Sequence, residues 1–400
     1  MNHVYKGIVS ITILLTVLQQ FPIIRENAYG EIRTVLYFLF ILFSLYSLTK
    51  LNLNRIPKII LLFIFMTILW LIECSLFLFV SWNVTTSDMI ELLIPLGIIL
   101  TGYCVILSNK SLDSLAIIYG VSATVMAISL IFYYGQGFLI QRQYIQGITK
   151  NQVGPIVVVS IIVFLYRLIG GENNKEKKLI INTFVLLMLF LSIYALLLLR
   201  NRAGLAALFF VSIVMIYEDF RRKRTTTRML IALALLVIII ALVQVGLASR
   251  FIKTFYDSFT KGFDVENIES LSTGRFNVYK DALGVVKEYP FFGLLNQVET
   301  FRSTPHNYIL NKLVRYGLLG SLPLIILYLA VIVYPIKEFL GCMKKRIKVD
   351  IGIYLVLAAV LISFVEYSYP YGPGVSLILI WFMLAQYMRR KRGRELGTIR

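Results

Sequence analysis

The sequence predicts an all-α fold: a polytopic membrane bundle of about twelve transmembrane helices with one long external loop containing amphipathic helices. Three observations predict it. The chain is 58% hydrophobic and only 15% charged, with a mean hydropathy of +0.79, where a soluble domain carries about 25% charged residues. Apolar runs long enough to cross about 30 Å of hydrocarbon recur along its whole length. The basic residues gather in short connections between those runs. Transmembrane β-strands would give short alternating segments instead.

Twelve apolar segments follow in order, at 4–24, 34–49, 59–80, 90–108, 114–134, 153–169, 179–199, 203–217, 229–247, 308–334, 351–367 and 375–388. Alternate connections carry 25 of the 40 Lys and Arg residues, led by "DFRRKRTTTR", "CMKKRIK" and "MRRKRGR". The positive-inside rule places that set, and with it both termini, in the cytoplasm. These runs serve topology and attract anionic lipid. The net charge of +19 therefore describes loops rather than a nucleic-acid surface, and no nucleic acid is expected as a partner. The first apolar stretch is too long for a signal peptide and lacks a small-residue cleavage site. Cys74, Cys104 and Cys342 are scattered, with neither disulfide nor metal spacing, and no metal or cofactor is expected. The whole chain, 1–400, reads as one membrane domain, with 248–307 as its long extracytoplasmic loop between spans nine and ten.

That loop contains an amphipathic stretch. In "GRFNVYKDALGVVKEYP" the residues Phe276, Tyr279, Leu283 and Val286 recur at helical spacing, and Pro290 bars continuation. Such a helix lies on the outer membrane face or packs over the bundle. Arg275 opens it, where backbone N–H groups and the helix dipole favour anions and a guanidinium adds a bidentate fork. An interfacial arginine on a lipid phosphate has the same signature. His306 stands at the start of span ten, where the positive helix end disfavours an imidazolium; a neutral imidazole suits a general base. An interfacial histidine bonded to a backbone carbonyl is the plainer alternative. In "RNRAG", Arg200 and Arg202 occupy a minimal external turn followed by a glycine, a pattern that suits a diphosphate, although arginines near span ends also snorkel to the interface. Glu366, in "SFVEYSYPYGPG", lies near the outer end of span eleven, where a carboxylate needs a cation, a wet cavity or sugar hydroxyls. Tyr367, Tyr369 and Tyr371 beside it suit an aromatic belt or carbohydrate stacking.

Three elements in order resemble the bacterial O-antigen ligase and Wzy-type polysaccharide polymerase superfamily. "RNRAG" looks like its short Arg-x-Gly element. "STGRFNVYKDALGVVKEYPFFGLL" is similar to its Arg-containing helix with a following Pro-x-x-Gly turn, here Pro290 to Gly293. "PHNYILNKLVRYGLLG" is similar to its His-Asn element leading into a segment with a glycine pair. The resemblance runs from Arg200 to Gly320, and the N-terminal half matches in hydropathy alone. It implies glycosyl transfer on the outer face of the bacterial cell membrane, from a glycan on undecaprenyl diphosphate, with membrane lipids around it and a chain-length regulator as a candidate partner. It implies His306, Arg275 and Arg202 as catalytic residues and Arg200, Asn307, Tyr308, Arg302 and Glu366 as substrate-binding ones.

The same chemistry serves a polymerase, which joins lipid-linked repeat units of capsule, O-antigen or exopolysaccharide. It also serves a ligase, which moves finished polymer to a lipid A core, protein or wall acceptor. Leu199, Arg200 and Asn201 stand where the ligase version often has serines, which favours the polymerase. A twelve-span flippase of lipid-linked glycans is the reading from another class. Transporters often show two similar halves and midplane charges; here the halves differ and the singular charges cluster at one face.

Overall fold

The computed structural model describes residues 3–51, 56–79, 84–134, 150–170, 175–199, 201–221, 275–294, 304–372 and 375–395. All regular structure among them is helical: α1 (His3–Leu18), α2 (Pro22–Lys50), α3 (Lys58–Phe79), α4 (Thr86–Cys104), α5 (Asn109–Tyr134), α6 (Lys150–Gly170), α7 (Lys175–Leu198), α8 (Arg202–Arg221), α9 (Arg275–Glu288), α10 (Tyr308–Gly320), α11 (Leu322–Lys345), α12 (Ile351–Ser363) and α13 (Val375–Glu395). Seven of these are long and apolar enough to cross a membrane. The all-α, polytopic class expected from the sequence is the observed one. The predicted segment at 229–247, and with it Arg200 and Arg302, lies outside the described residues.

α13 and α12 form the centre. From Val375 to Met388 every residue of α13 is buried, as is nearly all of α12. A helix apolar on all sides has no solvent- or lipid-facing stripe and sits inside the bundle. α13 packs on α4, α12 and α6; α6 packs in turn on α5, α7 and α8. Gln386 joins the centre to the end of α4, its Nε2 donating to Gly102 O at 2.7 Å.

Several expected spans are shorter than predicted, among them 4–24, which ends at Leu18, and two that bear on the site. The segment at 308–334 is broken: α10 ends at Gly320 and α11 starts at Leu322, so the crossing helix is α11 alone. Gly317 takes φ +65°, a left-handed conformation that ends regular helix, and Pro323 lies at the start of α11. His306 therefore stands ahead of a short amphipathic helix, not ahead of the span. The segment at 351–367 ends at Ser363, because the next two carbonyls serve other partners: Phe364 O accepts from Asn307 Nδ2 at 3.2 Å and Val365 O from Arg275 Nη1 at 3.2 Å.

α9 is the amphipathic helix expected in the long loop, rotated from the expected face. Ala282 is buried, and with Val285 and Val286 it packs against Leu310 and Val314 of α10 and Leu294. Phe276 and Leu283 project outward, 59% and 53% exposed. The small Ala282 side chain lets the two helices approach, so the face bearing it wins over the face with larger side chains.

Candidate functional site

The candidate site forms where the starts of α8, α9 and α10 meet the segment after α12. Each start is fixed locally. Asn201 is buried at 1% exposure and caps α8: its Oδ1 accepts from Gly204 N at 2.5 Å. Its side chain fills the space beside Gly154 of α6, so α8 begins at a set position and Arg202 is its first residue. Asn307 caps α10, accepting from Leu310 N at 3.0 Å, and its other amide end ties α10 to Phe364 O. Pro290 to Gly293 then joins α9 to the break in α10 by main-chain bonds: Leu318 N to Pro290 O at 2.8 Å, Leu319 N to Phe291 O at 3.0 Å, and Leu294 N to Val314 O at 2.9 Å. Gly317 and Gly293 face each other there, both at positive φ. A Cβ on Gly293 would come within 2.6 Å of Gly317 N, and one on Gly317 would strike the Phe291–Phe292 peptide.

The functional side chains converge on Glu366. Its carboxylate is 3.9 Å from Arg275 Nη2 and 3.8 Å from His306 Nδ1. Arg202 lies within electrostatic reach of Arg275. Tyr279, one turn into α9, donates to His306 O at 3.1 Å. Burial raises the Tyr279 hydroxyl above its usual value, with Arg275 opposing and Glu366 reinforcing. The phenol therefore stays protonated and holds the histidine backbone as a donor. The Tyr367 ring lies 6.1 Å from the His306 ring. The Glu366 side chain is 7% exposed, while Arg275 and His306 are 28% and 37% exposed. The arrangement is a buried carboxylate between a partly exposed guanidinium, Arg275, and a partly exposed imidazole, with a second guanidinium, Arg202, within electrostatic reach of the first. Cations of this kind can hold a diphosphate, and the imidazole can take a proton from a hydroxyl. Among the described residues no cluster of His, Cys, Asp or Glu could hold a metal.

Arg202, Arg275, His306 and Glu366, read from the sequence as site residues, are thus neighbours. Asn307 is beside them but uses both ends of its amide within the protein. Tyr308 turns away: it is fully buried, stacked on Tyr328 at 5.4 Å and edge-on to Tyr371 at 5.5 Å. The expected belt or sugar platform also divides, because Tyr369 and Tyr371 are buried and Tyr367 alone is exposed. Sequence reasoning missed Tyr279 as a partner of the histidine, Asn201 as a cap, and the two carbonyls after α12.

Beneath the site, α10 is tied to α4 by charge. Arg315 makes a fork to Asp88 at 2.9 and 3.1 Å, and the buried Lys312 pairs with the buried Glu91. Asp88 also closes a capping box with Thr85. Lys312, Arg315 and Tyr308 share the inward face of α10, so His306 is carried on a helix pinned on two sides.

Residues 187–325 match the family model described as O-antigen ligase, Wzy_C. Over these residues, about a third of its length, the chain is similar to that family. The match runs from α7 through α8, α9 and α10 into α11 and so encloses Arg202, Arg275 and His306. It agrees with the superfamily that the three sequence motifs resemble, and it supports a glycosyltransferase-like enzyme acting on lipid-linked glycan at the membrane. No curated protein matches the chain.

Proposed function

We propose that this protein is a polymerase of bacterial surface polysaccharide, joining repeat units carried on undecaprenyl diphosphate at the outer face of the cell membrane. The reading rests on one observation above all: Arg275 and His306, far apart in sequence, meet at Glu366, with Arg202 within electrostatic reach of Arg275. The acceptor hydroxyl attacks C1 of the donor sugar. The new O–C1 bond forms as the bond from C1 to the diphosphate oxygen breaks, inverting the anomeric centre. His306 takes the hydroxyl proton, and Arg202 and Arg275 stabilise the departing diphosphate as preorganised charge, without a metal. Arg200 and Arg302 stand as further candidate contacts to substrate, and a chain-length regulator as a candidate partner. The excess of Lys and Arg in alternate loops supports cytoplasmic termini and a site on the opposite side.

Transfer of finished polymer to a core, protein or wall acceptor is the second reading, and the description of the matched family favours it. The glycan made by a deletion strain separates the two: single repeats for a polymerase, unattached long chains for a ligase. Full-length protein in nanodiscs, given lipid-linked repeat units, should form a ladder of products. Arg202→Ala, Arg275→Ala and His306→Ala should each insert normally and lose it. Three active variants would end this reading of the site.

A further inference from the structure

We propose that Glu366 is a positioning residue for His306, holding the imidazole by its Nδ1 edge so that Nε2 faces the acceptor hydroxyl. This rests on the glycosyl-transfer reading above. Glu366 lies equally close to two cationic partners, and the question is which it serves.

Arg275 is already engaged. Its Nη1 donates to Val365 O at 3.2 Å, while Nη2 stays 3.9 Å from Glu366 Oε1, beyond hydrogen-bond reach. A carboxylate next to a guanidinium that must hold a diphosphate opposes anion binding, so its presence there needs another reason. His306 supplies one. Nδ1 of His306 is buried and has no hydrogen-bond partner among the described residues, and the nearest carboxylate oxygen is Glu366 Oε2; the other oxygen, Oε1, faces Arg275 and is likewise unpartnered. Buried polar atoms of this kind are costly unless satisfied. The 3.8 Å between Nδ1 and Oε2 exceeds a charge-assisted hydrogen bond by about 1 Å, and catalytic hydrogen bonds commonly close in the substrate complex.

The backbones on both sides are already fixed for that closure. Tyr279 holds His306 O, Asn307 holds Phe364 O, and Arg275 holds Val365 O. Side-chain rotation alone brings the pair together. A carboxylate at Nδ1 favours the tautomer with hydrogen on that nitrogen and leaves Nε2 as the acceptor. When Nε2 takes the hydroxyl proton, the imidazolium forms against the Glu366 side chain; the proton later leaves to water. The other groups around the pair are Arg275, which has Arg202 within electrostatic reach, the Tyr279 hydroxyl and the Tyr367 ring.

The test is steady-state kinetics of full-length protein in nanodiscs with lipid-linked repeat units. Glu366→Gln should lower kcat about 10- to 100-fold while the donor KM stays within about twofold. Glu366→Asp, one methylene short, should show the same split more weakly, and it serves as the second variant if the amide folds poorly. Combining Glu366→Gln with His306→Ala should be no slower than His306→Ala alone, because both act through one group. A changed donor KM with kcat intact would assign Glu366 to Arg275 and overturn the proposal. Wild-type kinetics for Glu366→Gln would overturn it as well. Full activity in His306→Ala would instead remove the base assignment itself.

Discussion

Arg202 opens α8 and Arg275 opens α9, and the positive charge of Arg275 reaches Arg202. An anion bound beside them would be favoured by both charges. This arrangement predicts that undecaprenyl diphosphate, or a shorter polyprenyl diphosphate, raises the melting temperature of the detergent-solubilised protein, since a ligand that binds the folded state alone stabilises it. Arg275→Ala should abolish the shift, and Arg275→Lys should reduce it, because a lysine lacks the fork that can serve both Val365 O and a phosphate. An unchanged shift in Arg275→Ala would mean the diphosphate is held elsewhere. Asn201→Ala should cost about 1 kcal/mol through loss of the helix cap and should lower activity by loosening Arg202. The arginines and His306 were legible in the sequence because three short motifs stand in a recognisable order. Glu366 was legible as a carboxylate out of place in an apolar stretch. Pairing with one of the arginines was a reading the sequence offered, but which one, and the histidine on its other side, were not legible, since nothing local says which distant loop a span end will meet. Asn201 was invisible because one polar residue between two arginines carries no signal until the neighbouring helix is in place.

At the scale of elements, the joint between α9 and α10 is made of main chain. Gly317 and Gly293 allow two peptide segments to touch, and a methyl group at either position enters occupied space. Gly317→Ala combines that clash with a positive φ and should destabilise by more than about 1 kcal/mol. Thermal unfolding should show the loss, with activity falling further than stability because His306 rides on α10. The Lys312–Glu91 pair makes a different prediction. Lys312→Met alone leaves a buried carboxylate without its partner and should cost about 3–5 kcal/mol, whereas Lys312→Met with Glu91→Leu should recover much of it. Equal loss in the single and double variants would show that the pair contributes little as a pair. The sequence could not reveal the break in the expected span at 308–334, since α10 and α11 are both apolar enough to read as one run. The break depends on the docking of the Pro290 turn, a contact with no local signature. The rotated face of α9 was hidden for a similar reason: periodicity finds a face, but Ala282 wins only once α10 is there to be approached.

For the whole molecule, charge and hydropathy carried most of the fold, because a bilayer leaves few ways to satisfy a backbone. The class and most of the long helices among the described residues followed from run length, while the expected span at 229–247 lies outside those residues. The orientation is a prediction that labelling can check. A cysteine introduced at Lys280 on the exposed side of α9 should react with an impermeant maleimide added outside intact cells or spheroplasts. One at Lys348 should react only after the membrane is opened. The reverse pattern would put the site in the cytosol and exclude an undecaprenyl-linked outer-face reaction.

The burial of α13 on every side has a consequence for how the protein is made. The helix that occupies the middle of the bundle emerges from the ribosome after the helices that surround it, so α4, α6 and α12 enter the bilayer with their inner surfaces waiting for it. Until it arrives, Gly102 O lacks the donor that Gln386 provides. Nascent chains stalled before that helix should therefore be short-lived, protease-sensitive and dependent on insertion factors, and release of the stall should rescue them in a single late step.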